Sequence, residues 1–220
     1  MRPIVIATTA LTNDDNGVCE SQTPAAGGVQ SLSLDGALVS GGVATIAEAQ
    51  IITATWAGAD AARTLTVTYK DADGIEQTGT IAGANTTTSS GTFYAKSISG
   101  ITVDDDTAGA VEVGALSTNG AVTRSVRVNR NQVSSFKLGQ FVELSSGASM
   151  TYSAQHSPDW TESGDFTSGY SNNANWYDTD GLTALTATDE SNIVIPVECV
   201  RVKITAYTSG TLTFTTLQNY

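Results

Sequence analysis

Histidine, cysteine, basic residues and long apolar runs are all scarce in this chain, and each scarcity removes a class of chemistry. His156 is the only imidazole in 220 residues, and the two cysteines, Cys19 and Cys199, lie near opposite ends of the sequence. A zinc site needs clustered nitrogen or sulfur ligands, so no metal centre is expected. A disulfide between the cysteines stays open, with two buried thiols in a reducing cytosol as the simpler reading. Lys and Arg number 10 against 22 Asp and Glu, giving a net charge of −12 and an isoelectric point near 4.2. A polyanion gains nothing by releasing counterions from phosphates, and an anionic membrane repels it, so neither nucleic acid nor membrane is expected as a partner. No stretch reaches the ~18 apolar residues that span a bilayer. The opening MRPIVIATTA carries one Arg and a short apolar run diluted by Thr and Ala, which reads as a strand rather than a signal peptide.

What is present points to strands. Hydrophobic residues make up 40% and charged residues only 15%, with mean hydropathy −0.05, too apolar for a disordered chain. The abundance of Thr and Val favours pleated backbone, on which β-branched side chains lose little freedom. Alternation with period two recurs at 29–34, 50–56, 63–69 and 92–98, then at 135–144, 148–155, 192–206 and 211–217. Asp73-Gly74 predicts a hairpin turn. Further hairpins are expected around 107–109 and at 207–210, and the aperiodic ALSTNGAVTR (115–124) marks a boundary. Residues 158–183 form a long polar loop with several aromatics. No segment holds a helical apolar stripe for three turns, and AEAQ (47–50) is the one helical-looking scrap. The expected fold is all-β, with two β-sandwich domains of jelly-roll or immunoglobulin-like type.

Three groups of residues could carry chemistry. In TYSAQHSPDW (151–160), strand alternation puts Tyr152, Ala154 and His156 on one face and Ser157 on the other. A nucleophile must reach its base, and that base must be oriented by a third group, so this stretch predicts a structural or contact histidine. Asp71, Asp73 and Glu76, like Asp104–Asp106, could collect oxygens for a hard cation. They lack the spacing of a calcium loop, and Asp and Gly are what turns demand. Asp159, Glu162, Asp165, Asp178 and Asp180 share a loop with Trp160, Tyr170, Trp176 and Tyr177. That mixture suits a sugar-binding or packing surface more than paired catalytic carboxyls. The glycine-rich pieces contain neither G-x-G-x-x-G nor a Walker lysine, so no cofactor is expected.

Two parts of the chain resemble known proteins. The opening MRPIVIATTA, together with TYSxQH at 151–156, Trp-x-Asp-x-x-x-Leu at 176–182, IPVxxVRVxITxYTSGTLT at 195–213 and Leu217-Gln218, resembles a small β-sandwich family encoded among tailed-bacteriophage virion genes. The middle stretch, from RTLTVTYKDADG to AGAVEVG, is similar to a β-module inserted in phage head, neck and tail proteins. The resemblance implies a discontinuous domain, residues 1–22 plus 120–220, with a second sandwich inserted at 23–119. Insertion at exposed loop tips is tolerated, and it would let Cys19 and Cys199 approach one another.

The function so implied is non-enzymatic: a structural component of a virion assembled in the host cytoplasm, foremost a capsid cement or decoration protein. Its partners would be the major capsid protein or neck and tail proteins, bound through sheet edges and aromatic anchors at Trp160, Trp176, Tyr177 and Tyr170. Self-association into a homo-oligomer, for instance a trimer, accompanies that reading. The alternatives are a neck or tail accessory protein, a receptor or carbohydrate-binding module at the virion surface, and, last, a glycan-degrading enzyme.

Overall fold

The computed structural model describes residues 3–128, 136–158 and 175–218. Within them the chain is all-β, with one short 3-10 turn at Ser117–Asn119. The strands in the first half are β1 (Ile4–Ala7), β2 (Asp14–Gln22), β3 (Gln30–Leu32), β4 (Val39–Ser40), β5 (Val43–Trp56), β6 (Thr64–Lys70), β7 (Glu76–Ala82), β8 (Thr88–Val103) and β9 (Val111–Ala115). The second half adds β10 (Ala121–Val122), β11 (Val126–Arg127), β12 (Leu138–Leu144), β13 (Ser149–Ser157), β14 (Tyr177–Asp178), β15 (Asp189–Ile193), β16 (Cys199–Ser209) and β17 (Leu212–Gln218). All pairings are antiparallel. A four-stranded sheet runs β1-β17-β12-β15, and a 13-stranded sheet has the backbone order β14-β13-β16-β10-β5-β8-β6-β7.

Period-two alternation buries one side of each sheet, and the buried residues fall into two cores. The first gathers Val18, Ile46, Ile52, Trp56, Leu65, Val67, Ile98 and Val113 from strands of the large sheet. Trp56 anchors it, with its indole Nε1 donating to Ser89 Oγ at 3.0 Å. The second gathers Val142, Leu212 and Phe214 from the four-stranded sheet against Tyr152, Ala154, Val202 and Ile204 from the large one, so two sheets face each other over it. Burying side chains of this size contributes about 1.5–3 kcal/mol each.

The Asp73-Gly74 hairpin joins β6 and β7, with Lys70 opposite Glu76. Gly74 takes φ +82°, a left-handed conformation that suits glycine. Asp71 Oδ1 accepts from the N–H groups of Asp73 and Ile75 at 2.9 and 3.0 Å and closes the turn.

Two other expected hairpins are not hairpins. β8 and β9 do not pair with each other; both flank β5, Thr55 lying between Thr88 and Glu112, so residues 104–110 cross over β5. β16 and β17 likewise belong to different sheets, and Gly210, at φ +97°, turns the chain from one to the other. The helical-looking 47–50 lies inside β5, where the register against β8 shifts between Thr45 and Gln50. At this irregularity Ala47 C=O accepts from Thr9 Oγ1 and from Lys96 Nζ. Around the expected boundary at 115–124 the sheet is continuous, because β10 pairs with β5 on one side and β16 on the other.

Candidate functional site

The stretch holding the lone histidine is the inner strand β13, paired along its length with β16. A register shift between Thr151 and Tyr152 sets the alternation. Tyr152, Ala154 and His156 stand opposite Ile204, Val202 and Val200 on the core face, while Gln155 and Ser157 stand opposite Arg201 and Cys199 on the reverse face. His156 is half-buried at the end of that row. Its Nδ1 lies 3.2 Å from Thr179 Oγ1, and its ring centroid is 6.2 Å from that of Tyr177. Burial pulls its pKa down, with Asp178 pulling weakly the other way. Thr179 is 2% exposed, so the hydroxyl beside the imidazole is closed to solvent. Ser157 points to the opposite face, as alternation requires. Asp159, Trp160, Glu162, Asp165 and Tyr170 lie outside the described residues.

The reverse face carries the more elaborate arrangement. Arg201 is 5% exposed, and its Nε donates to Gln155 Oε1 at 3.0 Å. Gln155 Nε2 in turn donates to Asp178 Oδ1 at 2.9 Å. The guanidinium lies 4.0 Å from the Trp176 ring centroid and 6.0 Å from that of Tyr94 on β8. Cation–π contacts with a desolvated Arg are among the stronger ones. Burial lowers the Arg201 pKa to about 10, and Tyr94 and Asp73 oppose that fall, so it stays a cation at neutral pH. Trp176 is thereby fixed to β16. Its neighbour Tyr177 points to the other face of β14 and is 53% exposed. Of the four expected aromatic anchors, the two described ones thus sit together at the β14 edge of the large sheet.

The acidic clusters hold turns and ion pairs. Asp104 accepts from Thr64 N–H at 3.0 Å. Asp105 accepts from the N–H groups of Gly28 and Asp106, which hold its carboxyl below the usual range, with Arg63 contributing less. Arg63 reaches Asp105 and Asp106 at 3.3 and 3.0 Å. Among the described residues no three His, Cys, Asp or Glu side chains are placed to share a metal ion. Asp73 leaves its own turn and accepts from Ser125 N–H at 2.7 Å and Ser125 Oγ at 2.8 Å, tying the β6–β7 hairpin to the strands of the second core.

Sequence reading missed Arg201 and the Asp73 clasp. For Arg201 a signal existed, since Val200-Arg201-Val202 puts one charge on the face opposite two core valines. For Asp73 none did, because turn chemistry accounts fully for an Asp-Gly pair. Cys19 and Cys199 are both buried free thiols, and burial raises each pKa to about 12.

Apolar side chains remain exposed on the four-stranded sheet. Val5, Thr215 and Phe141 form one outward row, and Val5 and Phe141 are 52% and 41% exposed. Beside the end of β1 lies a cleft of about 210 Å³ between strands of the two cores, lined by Ile6, Ala7, Glu48, Lys96 and Arg124 among others.

No protein-family model matches this chain, and no curated protein does. Two solved structures are weakly similar. Allantoicase from Saccharomyces cerevisiae shares 8% identity at a TM-score of 0.23, over 79% of this chain and 76% of its own. The major capsid protein P2 of bacteriophage PM2 shares 10% identity at a TM-score of 0.21, over 99% and 97%. At such scores neither likeness bears on what the chain does.

Proposed function

We propose that this chain is a non-enzymatic structural component of a tailed-phage virion, in first place a capsid cement or decoration protein that binds other virion proteins. The observation that carries this reading is how the candidate side chains are used. The described residues that could have run a reaction are engaged in holding the fold: His156 against a sealed threonine, Asp71 in its turn, Asp73 on Ser125, and Asp104–Asp106 on backbone N–H groups and Arg63. Among the exposed side chains are the apolar or aromatic Ile4, Val5, Phe141 and Tyr177, which lie on strands of the two sheets, as docking surfaces require. The sequence resemblance at 151–156, 176–182 and 195–213 supports the same assignment.

Within that role the chain is organised as residues 1–22 plus 120–220 with a module inserted at 23–119. The division of buried residues into two cores supports this, with β2 pairing to β9 and lending Val18 and Cys19 to the first. Tyr177 is the exposed anchor, and Trp176 is held ready beside it by Arg201. Particles assembled without the chain and then incubated with the purified protein test the proposal. Wild type binds saturably, and Tyr177→Ala, with an unchanged unfolding temperature, binds about tenfold more weakly. Saturable binding to host envelope sugars, with none to particles, would replace this reading with the carbohydrate-binding one.

A further inference from the structure

We infer that copies of this chain join edge to edge, the β1 edge of one four-stranded sheet pairing with the β15 edge of the next. This deepens the assembly role proposed above, names a second copy as one partner, and rests on that reading.

β1 pairs only with β17 and β15 only with β12 among the described residues, so each presents unpaired backbone groups on one side. Edge strands are normally blunted by charge, proline or bulges, because an open row of N–H and C=O groups recruits another strand. β1 has none of these within it: its sequence is Ile-Val-Ile-Ala, in unbroken register, with Ile4 and Val5 41% and 52% exposed. β15 begins with exposed Asp189 and Glu190.

Direction and charge then select the partner. Three successive antiparallel pairings separate β1 from β15, so the two edges of the sheet run in opposite directions. A second copy laid alongside in the same orientation therefore presents its β15 antiparallel to β1, and the sheet pattern continues unbroken. Antiparallel pairing sets the start of one strand against the end of the other. Asp189 and Glu190 of the incoming copy come to the Ala7 end of β1, beside the cleft holding Lys96 and Arg124. Glu48 also faces that cleft and pairs with Lys96 at 3.6 Å. Arg124 is exposed and makes no ion pair among the described residues. In antiparallel self-pairing the carboxylates of two β15 strands, or the Ala7-end clefts of two β1 strands, lie toward opposite ends of the junction and meet no opposite charge, while the β1–β15 junction sets Asp189 and Glu190 beside Arg124. Such a head-to-tail contact closes into a ring or continues as a row.

Native mass spectrometry and sedimentation of the full chain over a concentration series test this. Wild type forms oligomers that grow with concentration. Val5→Lys, Arg124→Glu and Glu190→Lys each leave monomer, with unfolding temperatures near that of wild type. Mixing Arg124→Glu with Glu190→Lys restores association, because an intact β15 edge then meets an intact β1 edge. A wild type that stays monomeric overturns the inference. So does association that survives Glu190→Lys but not Val5→Lys, which would mean β1–β1 pairing, and so does a mixture that stays monomeric. Binding of the chain to particles is read separately, so the wider assembly role stands or falls independently.

Discussion

Gln140 sits fully buried on β12, on the inward row with Leu138 and Val142, and neither polar atom of its amide has a hydrogen-bond partner among the described residues. An unsatisfied buried polar group costs about 1–3 kcal/mol, whereas an apolar side chain of similar shape removes that cost. Gln140→Leu is therefore expected to stabilise the protein by about 1 kcal/mol in urea unfolding, and a loss of that size would mean the amide is satisfied. His156 makes a different prediction. Its folded pKa lies below the ordinary 6.5, so the unfolded chain takes up a proton first as the pH falls. The stability this group contributes is complete above pH 6.5 and is lost as the pH drops toward its folded pKa. Unfolding of His156→Gln should be flatter than wild type over that window, and parallel curves would refute the assignment. At this scale alternation was a good guide: it placed Tyr152, Ala154 and His156 together and Ser157 opposite. It could not say what covers the reverse face, because Tyr94 comes to Arg201 from a strand far upstream.

Strands were more legible than the connections between them. Period-two runs marked the positions of β6, β12, β13 and β17 closely, the run at 192–206 merged the end of β15 with β16, and Asp73-Gly74 gave a true hairpin. Gly210 carries a similar local signal and makes a corner between sheets instead. The difference is tertiary: β16 finds β13 as its neighbour, and β17 finds β1 and β12. Thr107–Gly109 misleads for the same reason, since β5 is long enough to accept β8 and β9 on its two sides. The helical scrap at 47–50 has local composition without partners, and strand pairing on both flanks overrides it. Gly210 yields a test of the corner. A Cβ there would lie 2.4 Å from Ala148 Cβ, on a backbone with φ +97°. Gly210→Ala should cost about 2 kcal/mol or more in equilibrium unfolding. An unchanged midpoint would mean the corner is not built this way.

Over the whole molecule, two cores share one large sheet, joined through the two-residue strand β10 and tied again by the carboxylate of Asp73 on Ser125. Charge-assisted hydrogen bonds of this kind are among the stronger ones. Asp73→Ala should lower stability by about 2 kcal/mol, read by urea unfolding, and no change would show that the strand pairing alone joins the cores. The all-β class was legible from Thr and Val content and from alternation. The continuity of the sheet through 115–124 was not, since Asn119-Gly120 gives a strong turn signal while only tertiary pairing recruits Ala121 and Val122. The net charge of −12 sets up self-repulsion between copies that any proposed docking patch has to overcome locally.

Quantitative mass spectrometry of purified virions, set against the lysate they came from, tests the proposed virion role most directly. The account predicts a fixed number of copies per particle, in the hundreds for a capsid role and about a dozen or fewer for neck or tail. Absence from the particles, with the chain recovered free in the lysate, would contradict it.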